Sequence, residues 1–243
     1  MGTLINAGLI VIGGILGLIF KKAIGENMEK SITKATGISV TVIGIAGIIS
    51  NMITVGGDGK LSSDGELMLV VSLAVGTFFG ELLKLEDRLN NGCKKIEEKL
   101  KTSDFSSGFI AASMIFCIGA MAIVGSINDG LLHDSSTLVT KGIIDGITSV
   151  VLAASLGWGV IVSAVPVLIY QGLMTVLASS LQNVLKGELL TNICIVGYAL
   201  VMCIGINFLS TSKKHIKTVN MIPALIVPPL YAAGKYIVML LQR

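Results

Sequence analysis

Residues 119 to 146, GAMAIVGSINDGLLHDSSTLVTKGIIDG, place Asn128, Asp129, Lys141 and Asp145 between two stretches of chain suited to lipid. A carboxylate there can bind a cation, carry a proton or neutralise an ammonium. Because an ionisable group in hydrocarbon costs roughly a few kcal/mol at least, it is expected to face a cavity or a partner and is a functional-site candidate by default. Asp129 follows the charge-free run 105 to 128, so capping at the outer mouth of a helix competes with binding as its role. Lys141 stands at i and Asp145 at i+4, the spacing of a structural helix pair, and such a pair can also form part of a transport path. Further on, SAVPVLIYQG holds Pro166, which frees a carbonyl, with the amide of Gln171 about a turn away. The segment 126 to 150 and the Pro166 to Gln171 break are therefore expected to lie together in the protein interior. Asn128, Asp129, Lys141, Asp145 and Gln171 form the expected ion- or solute-binding set.

Other chemistry fails on inspection. GGDGKLSSDGE at 56 to 66 has the glycine, lysine and serine of a phosphate loop but neither its spacing nor a preceding strand, and its acids miss the spacing of a calcium loop. It reads as an external turn. With only His133 and His215, no Cys-x-x-Cys and no His-Glu-x-x-His, a zinc site is not expected, and no Ser-His or Cys-His arrangement suggests a catalytic centre. The chain is read as a non-enzyme with no cofactor and no metal. Cys117, Cys194 and Cys203 fall in apolar segments and Cys93 in a charged one, so no disulfide framework is legible.

The elements that must carry those groups follow from composition. A mean hydropathy of +0.85 with 53% hydrophobic and 14% charged residues is far from the roughly 25% charged of a soluble domain. The class is an all-α, polytopic transmembrane helix bundle forming one integral domain over residues 1 to 243. The formal charge of +3 is too small and too clustered for a nucleic-acid partner; the expected partners are the lipid bilayer and a small ion or polar solute.

A crossing needs about 20 mainly apolar residues. Suitable runs are 2 to 20, 35 to 57, 67 to 80, 105 to 128, 146 to 185, 189 to 212 and 218 to 234, the last extendable to 242. The run 146 to 185 is too long for one crossing, and the GWG at 157 to 159 is its natural break. Eight helices result, or seven if residues 137 to 185 cross once. A helix ending at Gly157 puts Asp145 ~18 Å from that end, well inside a membrane.

The opening MGTLINAGLIVIGGILGLIFKK carries Lys21 and Lys22 after its apolar run, the order of a retained first helix with its N-terminus outside rather than of a signal peptide. An apolar run from residue 4 also makes a lipid anchor on Gly2 redundant. Of 18 Lys and Arg, thirteen lie in the connections 21 to 34, 84 to 101 and 213 to 217. Eight crossings place all three on one side, with the GWG turn, and both termini on the other. By the positive-inside rule that side is cytoplasmic, Lys94 and Lys214 included. Residues 84 to 104, KLEDRLNNGCKKIEEKLKTSD, read as an amphipathic cytoplasmic connector whose Leu85, Leu89, Ile96 and Leu100 suit the headgroup layer, or as a solvated linker. Apolar helix, basic connection, apolar helix recurs three times, with too few identities for a repeat.

Three Gly-x-x-x-Gly pairs, Gly13 with Gly17, Gly76 with Gly80 and Gly142 with Gly146, suit close helix packing or a homo-oligomer. NMIPALIVPPL, with Asn220, Pro223, Pro228 and Pro229, repeats the broken-helix theme by which secondary transporters present backbone groups to solutes.

The motifs GTLINAGLIVIGGILG, GTFFGELLKLEDRL, FCIGAMAIVGSINDGL, LVTKGIIDGITSVVLAASLGWGVIVSAVPVLIYQG, GINFL and VNMIPAL resemble, essentially end to end, the YqgA and YdfK type of bacterial inner-membrane protein. That family is described as a domain of unknown function, so the resemblance implies a bacterial cytoplasmic (inner) membrane location and suggests transport without naming a solute. Its Lys-Ser-x-Leu-Asp-Gly pattern stands here as Lys141-Gly142-Ile143-Ile144-Asp145-Gly146, glycine replacing the serine. The resulting expectation is a transporter or channel for a small ion or polar solute, with a site around residues 126 to 150. A non-transporting scaffold or regulator, in which every polar residue only packs helices, is the competing reading.

Overall fold

A computed structural model describes residues 1–23, 26–57, 59–100, 105–117, 120–181, 185–210 and 215–241. Residues 101–104 of the expected connector, and Lys213 and Lys214 of the last basic connection, lie outside them, as do the side chains of Lys22, Cys93, Lys94, Ile96, Lys99 and Leu100.

Lipid offers backbone groups no hydrogen bonds, so apolar runs satisfy them internally as helices. The chain forms α1 (Gly2–Ala23), α2 (Glu26–Met52), α3 (Glu66–Leu83), α4 (Leu85–Leu100), α5 (Phe105–Cys117), α6 (Ala120–Leu131), α7 (Ser136–Leu156), α8 (Gly159–Val162), α9 (Ala164–Val176), α10 (Ala178–Leu181) and α11 (Gly187–Leu209). A 3-10 helix, Thr218–Ile226, runs into α12, Val227–Leu241. Six helical stretches among the described residues are long and apolar enough to cross a membrane: Gly2–Lys21, Thr33–Met52, Glu66–Leu83, Ser136–Leu156, Gly159–Val176 and Gly187–Leu209. The pair α5 and α6, bent by 60°, counts as a seventh where it is taken as one span. The fold is an all-α polytopic bundle, and its six or seven spans agree roughly with the eight expected. The expected last crossing is divided between the 3-10 helix, with Pro223 inside it, and α12, whose Pro228 and Pro229 sit in a first turn where proline costs no hydrogen bond.

Several boundaries differ from expectation. The run 105 to 128 is a bent pair rather than one straight helix. Lys30 and Lys34, expected in a loop, lie in α2. The apolar run to residue 57 stops at Met52, where a short antiparallel hairpin begins, β1 (Ile53–Val55) with β2 (Leu61–Ser63), pairing Ile53 with Ser63. The glycines of the intervening turn favour reversal over helix. The break at GWG is as expected. Gly157 has φ 84, a conformation glycine adopts without a Cβ penalty, and it ends α7 while its N–H donates to the Ala153 carbonyl at 3.0 Å.

Small residues set the helix pairs. A Cβ on Gly13 would lie 2.1 Å from the Gly146 carbonyl oxygen, and one on Gly17 would lie 2.3 Å from that of Val150, so α1 and α7 run parallel in backbone contact. Gly37 lies against Phe208 and Gly47 against Tyr198, which makes α2 and α11 antiparallel. Gly76 and Gly80 lie against Ala224 and Asn220, packing α3 on the 3-10 helix. The three glycine pairs noted in the sequence are thus filled by helices of the same chain. Ile10, Phe116, Leu152, Val160, Val167 and Leu200 are fully buried between α1, α5, α7, α8, α9 and α11. Outward, Ile12, Ile19, Phe78, Ile147, Val165 and Leu173 are exposed, an apolar mantle far too extensive for a protein surrounded by water.

The second and third basic connections meet at one end. The Phe105 ring packs against Trp158, tilted by 33° with centroids 4.6 Å apart, tying the start of α5 to the GWG turn. Lys217 Nζ reaches Glu81 Oε2 at 3.2 Å, the Glu86 N–H donates to Asn220 Oδ1 at 2.7 Å, and the Val219 N–H donates to Glu86 Oε2 at 3.2 Å. These contacts bring the end of α3 and the start of α4 to the last basic connection. Glu81 draws the Lys217 ammonium above its usual range, while burial raises the Glu86 carboxyl despite the Val219 N–H.

Candidate functional site

Asp145 is in the middle of α7, and its carboxylate accepts a hydrogen bond from Lys141 Nζ one turn earlier. Both residues are only 6% exposed. Helical geometry makes the pairing local, but α1 makes it buried. Gly142 and Gly146 leave room for α1 to lie against this face: a Cβ on Gly142 would be 3.0 Å from Asn6 Cα, and one on Gly146 would be 3.2 Å from the Leu9 carbonyl oxygen. The close approach seals the pair on that side and brings Asn6 beside it.

Asn6 Nδ2 donates to Gln171 Oε1 at 3.2 Å, and neither residue is exposed at all. Gln171 arrives on α9, which continues α8 through Ser163, whose hydroxyl donates to the Val160 carbonyl, and which carries Pro166 in its first turn. The chain Lys141, Asp145, Asn6, Gln171 therefore joins α7, α1 and α9 across the bundle. Two of its atoms, Asn6 Oδ1 and Gln171 Nε2, are buried without a hydrogen-bond partner, as is the hydroxyl of Ser149, one turn beyond Asp145.

On the other side of α7, Lys141 and Asp145 line a cavity of about 140 Å³ together with Val40, Ile43, Ile115, Ile144 and Tyr198. Its walls are mainly aliphatic, Thr148 and Tyr198 adding hydroxyls, and the exposed side chains of Ile43 and Ile144 form its rim. The ion pair is thus a polar patch in an apolar chamber, flanked behind by amides with unused bonding capacity. Such a site can exchange its internal partners for those of a ligand.

Of the five residues expected in one set, three are brought together: Lys141, Asp145 and Gln171. Asp129 is elsewhere. At the end of α6 it accepts from the Met1 ammonium at 3.1 Å and from the Ser135 hydroxyl, with the Gly2 N–H also reaching it. A carboxylate held at the start of α1 is favoured there by the helix dipole. Asn128 is half-buried next to it, and among the described residues no hydrogen bond ties its side chain to the cluster; its carbonyl accepts from the Leu132 N–H at 2.8 Å. Asn6 was missed. A lone amide inside an apolar run was the available signal, the same that singled out Gln171, but so near the start of α1 it reads as interfacial. Cys117, Cys194 and Cys203 are free thiols, and among the described residues no group of His, Cys, Asp and Glu is arranged to hold a metal ion.

Comparison with known proteins places this architecture. The chain is 33% identical over 228 residues to the uncharacterized membrane protein YdfK of Bacillus subtilis (strain 168), a match covering 94% of this chain and 93% of YdfK. It is 27% identical over 241 residues to the uncharacterized protein YqgA of Escherichia coli (strain K12), covering 96% and 97%. No solved structure matches. A family model described as protein of unknown function (DUF554) matches residues 1–233, and this membrane protein therefore belongs to the DUF554 family.

Proposed function

We propose that this chain is a transporter or channel for a small ion or polar solute, that it does no covalent chemistry, and that Lys141 and Asp145 form the heart of its site. The observation that carries the reading is the placement of that ion pair on the wall of a cavity midway along a membrane-spanning helix. A pair kept only for packing needs no cavity beside it. Secondary transporters commonly bind near the midplane, beside interrupted helices; here the bent pair α5 and α6 supplies the interruption. The proposed setting is the bacterial cytoplasmic membrane, with both termini outside and the end bearing Lys84, Arg88 and Lys217 in the cytoplasm. The bacterial relatives and the gathering of basic residues at one end support it.

The competing reading, a scaffold or regulator, draws on the same pair: Lys141 and Asp145 satisfy one another, and glycine-lined interfaces hold the bundle tightly. Flux separates the two. Purified protein in liposomes, screened against monovalent cations, protons and small polar solutes, is expected to move at least one of them, with Asp145→Asn abolishing the movement. Tight liposomes for every solute class, together with a deletion strain indifferent to the same solutes, would establish the scaffold.

A further inference from the structure

Resting on the reading of Lys141 and Asp145 as a site, we infer that its ligand is a small zwitterion with an aliphatic side chain, an amino acid of the alanine-to-valine class. The site carries one positive and one negative group in contact and has no net charge. A bare cation entering it would meet the Lys141 ammonium, and a bare anion the Asp145 carboxylate. In a medium of low dielectric either encounter is costly. A ligand bearing both charges meets neither penalty: its carboxylate takes the Lys141 ammonium, its ammonium takes Asp145, and every buried charge stays paired throughout the exchange.

The walls argue in the same direction. Val40, Ile43, Ile115, Ile144 and Val201 offer nothing to a proton or a metal ion but do cover a hydrocarbon side chain. A cavity of about 140 Å³ has room for a small amino acid. Behind Asp145, Asn6 has an unused acceptor and Gln171 an unused donor, both fully buried. The Asn6 amide nitrogen gives one N–H to Gln171 and has a second to offer the Asp145 carboxylate while Lys141 turns to the ligand.

The test is binding to the full chain in detergent, read as a shift in melting temperature and by calorimetry, with glycine, L-alanine and L-valine as probes. Propionate and ethylamine, each lacking one charge, and L-tryptophan, too large for the chamber, serve as comparators. Alanine or valine is expected to bind, with each single-charge analogue and tryptophan weaker by about tenfold or more. Two variants guard against misfolding as an explanation. Ile43→Phe fills the cavity from its exposed rim without touching the pair, and Lys141→Met with Asp145→Asn removes both charges together. Each is expected to keep the native melting temperature and lose binding. Failure of all three amino acids to bind at millimolar concentration, or binding indifferent to both variants, overturns the inference. Liposome flux distinguishes that failure from failure of the transport reading. Asp145-dependent movement of some other solute leaves transport standing without this ligand class, whereas an amino acid that binds but never crosses leaves the ligand standing without transport.

Discussion

Asn6 and Gln171 lie 165 positions apart in sequence, yet Asn6 Nδ2 donates to Gln171 Oε1 at 3.2 Å with no solvent reaching either side chain. Truncating one amide strands the other in a region where neither lipid nor bulk water can satisfy it. Asn6→Leu is expected to cost about 1–2 kcal/mol, at the lower end if the bundle relaxes as polar pairs in membrane proteins often do. Adding Gln171→Met removes the stranded partner and is expected to recover much of that loss. Thermal unfolding of the two single variants and the double one measures the coupling; strict additivity would show that the bond contributes nothing to stability.

Backbone proximity makes a sharper test of packing. A methyl group at Gly13 would intrude on the Gly146 carbonyl and one at Gly80 on that of Asn220, at 2.1 and 1.8 Å. Gly13→Ala and Gly80→Ala are each expected to destabilise by about 1–3 kcal/mol as the helices are forced apart. Nothing lies near a Cβ at Gly8, on the same helix as Gly13. Gly8→Ala should be neutral or slightly stabilising, because alanine favours helix over glycine. Equal effects at Gly8 and Gly13 would contradict the parallel α1 and α7 contact.

How far the sequence reveals this arrangement depends on the range of the interaction concerned. Run length and lipid's inability to bond the backbone are local, so α1, α3, α7 and α11 are legible, and so is the stop at Gly157, where one residue's conformation decides. The Lys141 and Asp145 pair is legible for the same reason, lying one helical turn apart. Partner choice is not local. That Gly13 of α1 meets Gly146 of α7, bringing Asn6 beside Asp145, depends on the shape of two surfaces far apart in the chain. The bend between α5 and α6 is likewise invisible, because no charge interrupts the residues from 105 to 128. Asp129 shows the opposite case: its chemistry is plain in the sequence, but its partner, the start of α1, is set by the fold.

Acid titration should report the contact between α4 and the 3-10 helix. Glu86 is half-buried, and burial raises its carboxyl above the ordinary glutamate range even though the Val219 N–H favours the charged form. The folded state therefore holds this proton to higher pH than the unfolded chain. That advantage is fully present below the unfolded value near 4.5 and is lost as pH rises through the raised folded value. Glu86→Gln keeps a neutral acceptor for Val219 and should remove the loss. Relative to the native protein, the variant is expected to be more stable at pH 7, with the difference shrinking as pH falls below 5. A difference independent of pH would show that Glu86 does not titrate differently on folding.

Topology can be settled by labelling. In a background with Cys93, Cys117, Cys194 and Cys203 replaced, Arg88→Cys and His215→Cys should react with an impermeant maleimide only after the cells are opened. Ser62→Cys, on the hairpin after α2, should react in intact cells whose outer envelope admits the reagent. The prediction rests on the basic residues that share one end of the bundle. Labelling of Arg88→Cys from outside would invert the assignment.

The Lys141 and Asp145 pair allows a cycle in which structure and function diverge. Asp145→Asn preserves shape but leaves the ammonium of Lys141 buried and unpaired, at a cost of about 3 kcal/mol or more. Lys141→Met alone strands the carboxylate comparably. Combining Lys141→Met with Asp145→Asn leaves no orphaned charge, and stability in detergent is expected to return close to the native value. If the pair only holds helices together, the recovered double variant is fully functional in every assay the native protein passes. If the pair receives the solute, the same variant is folded, stable and inert, because the groups that exchanged partners with the ligand are gone. Melting curves of the four proteins establish the recovery, and flux of whichever solute the liposome screen identifies then decides. A stable double variant that moves that solute at the native rate would end the case for Lys141 and Asp145 as a functional site and leave them as a buried structural pair.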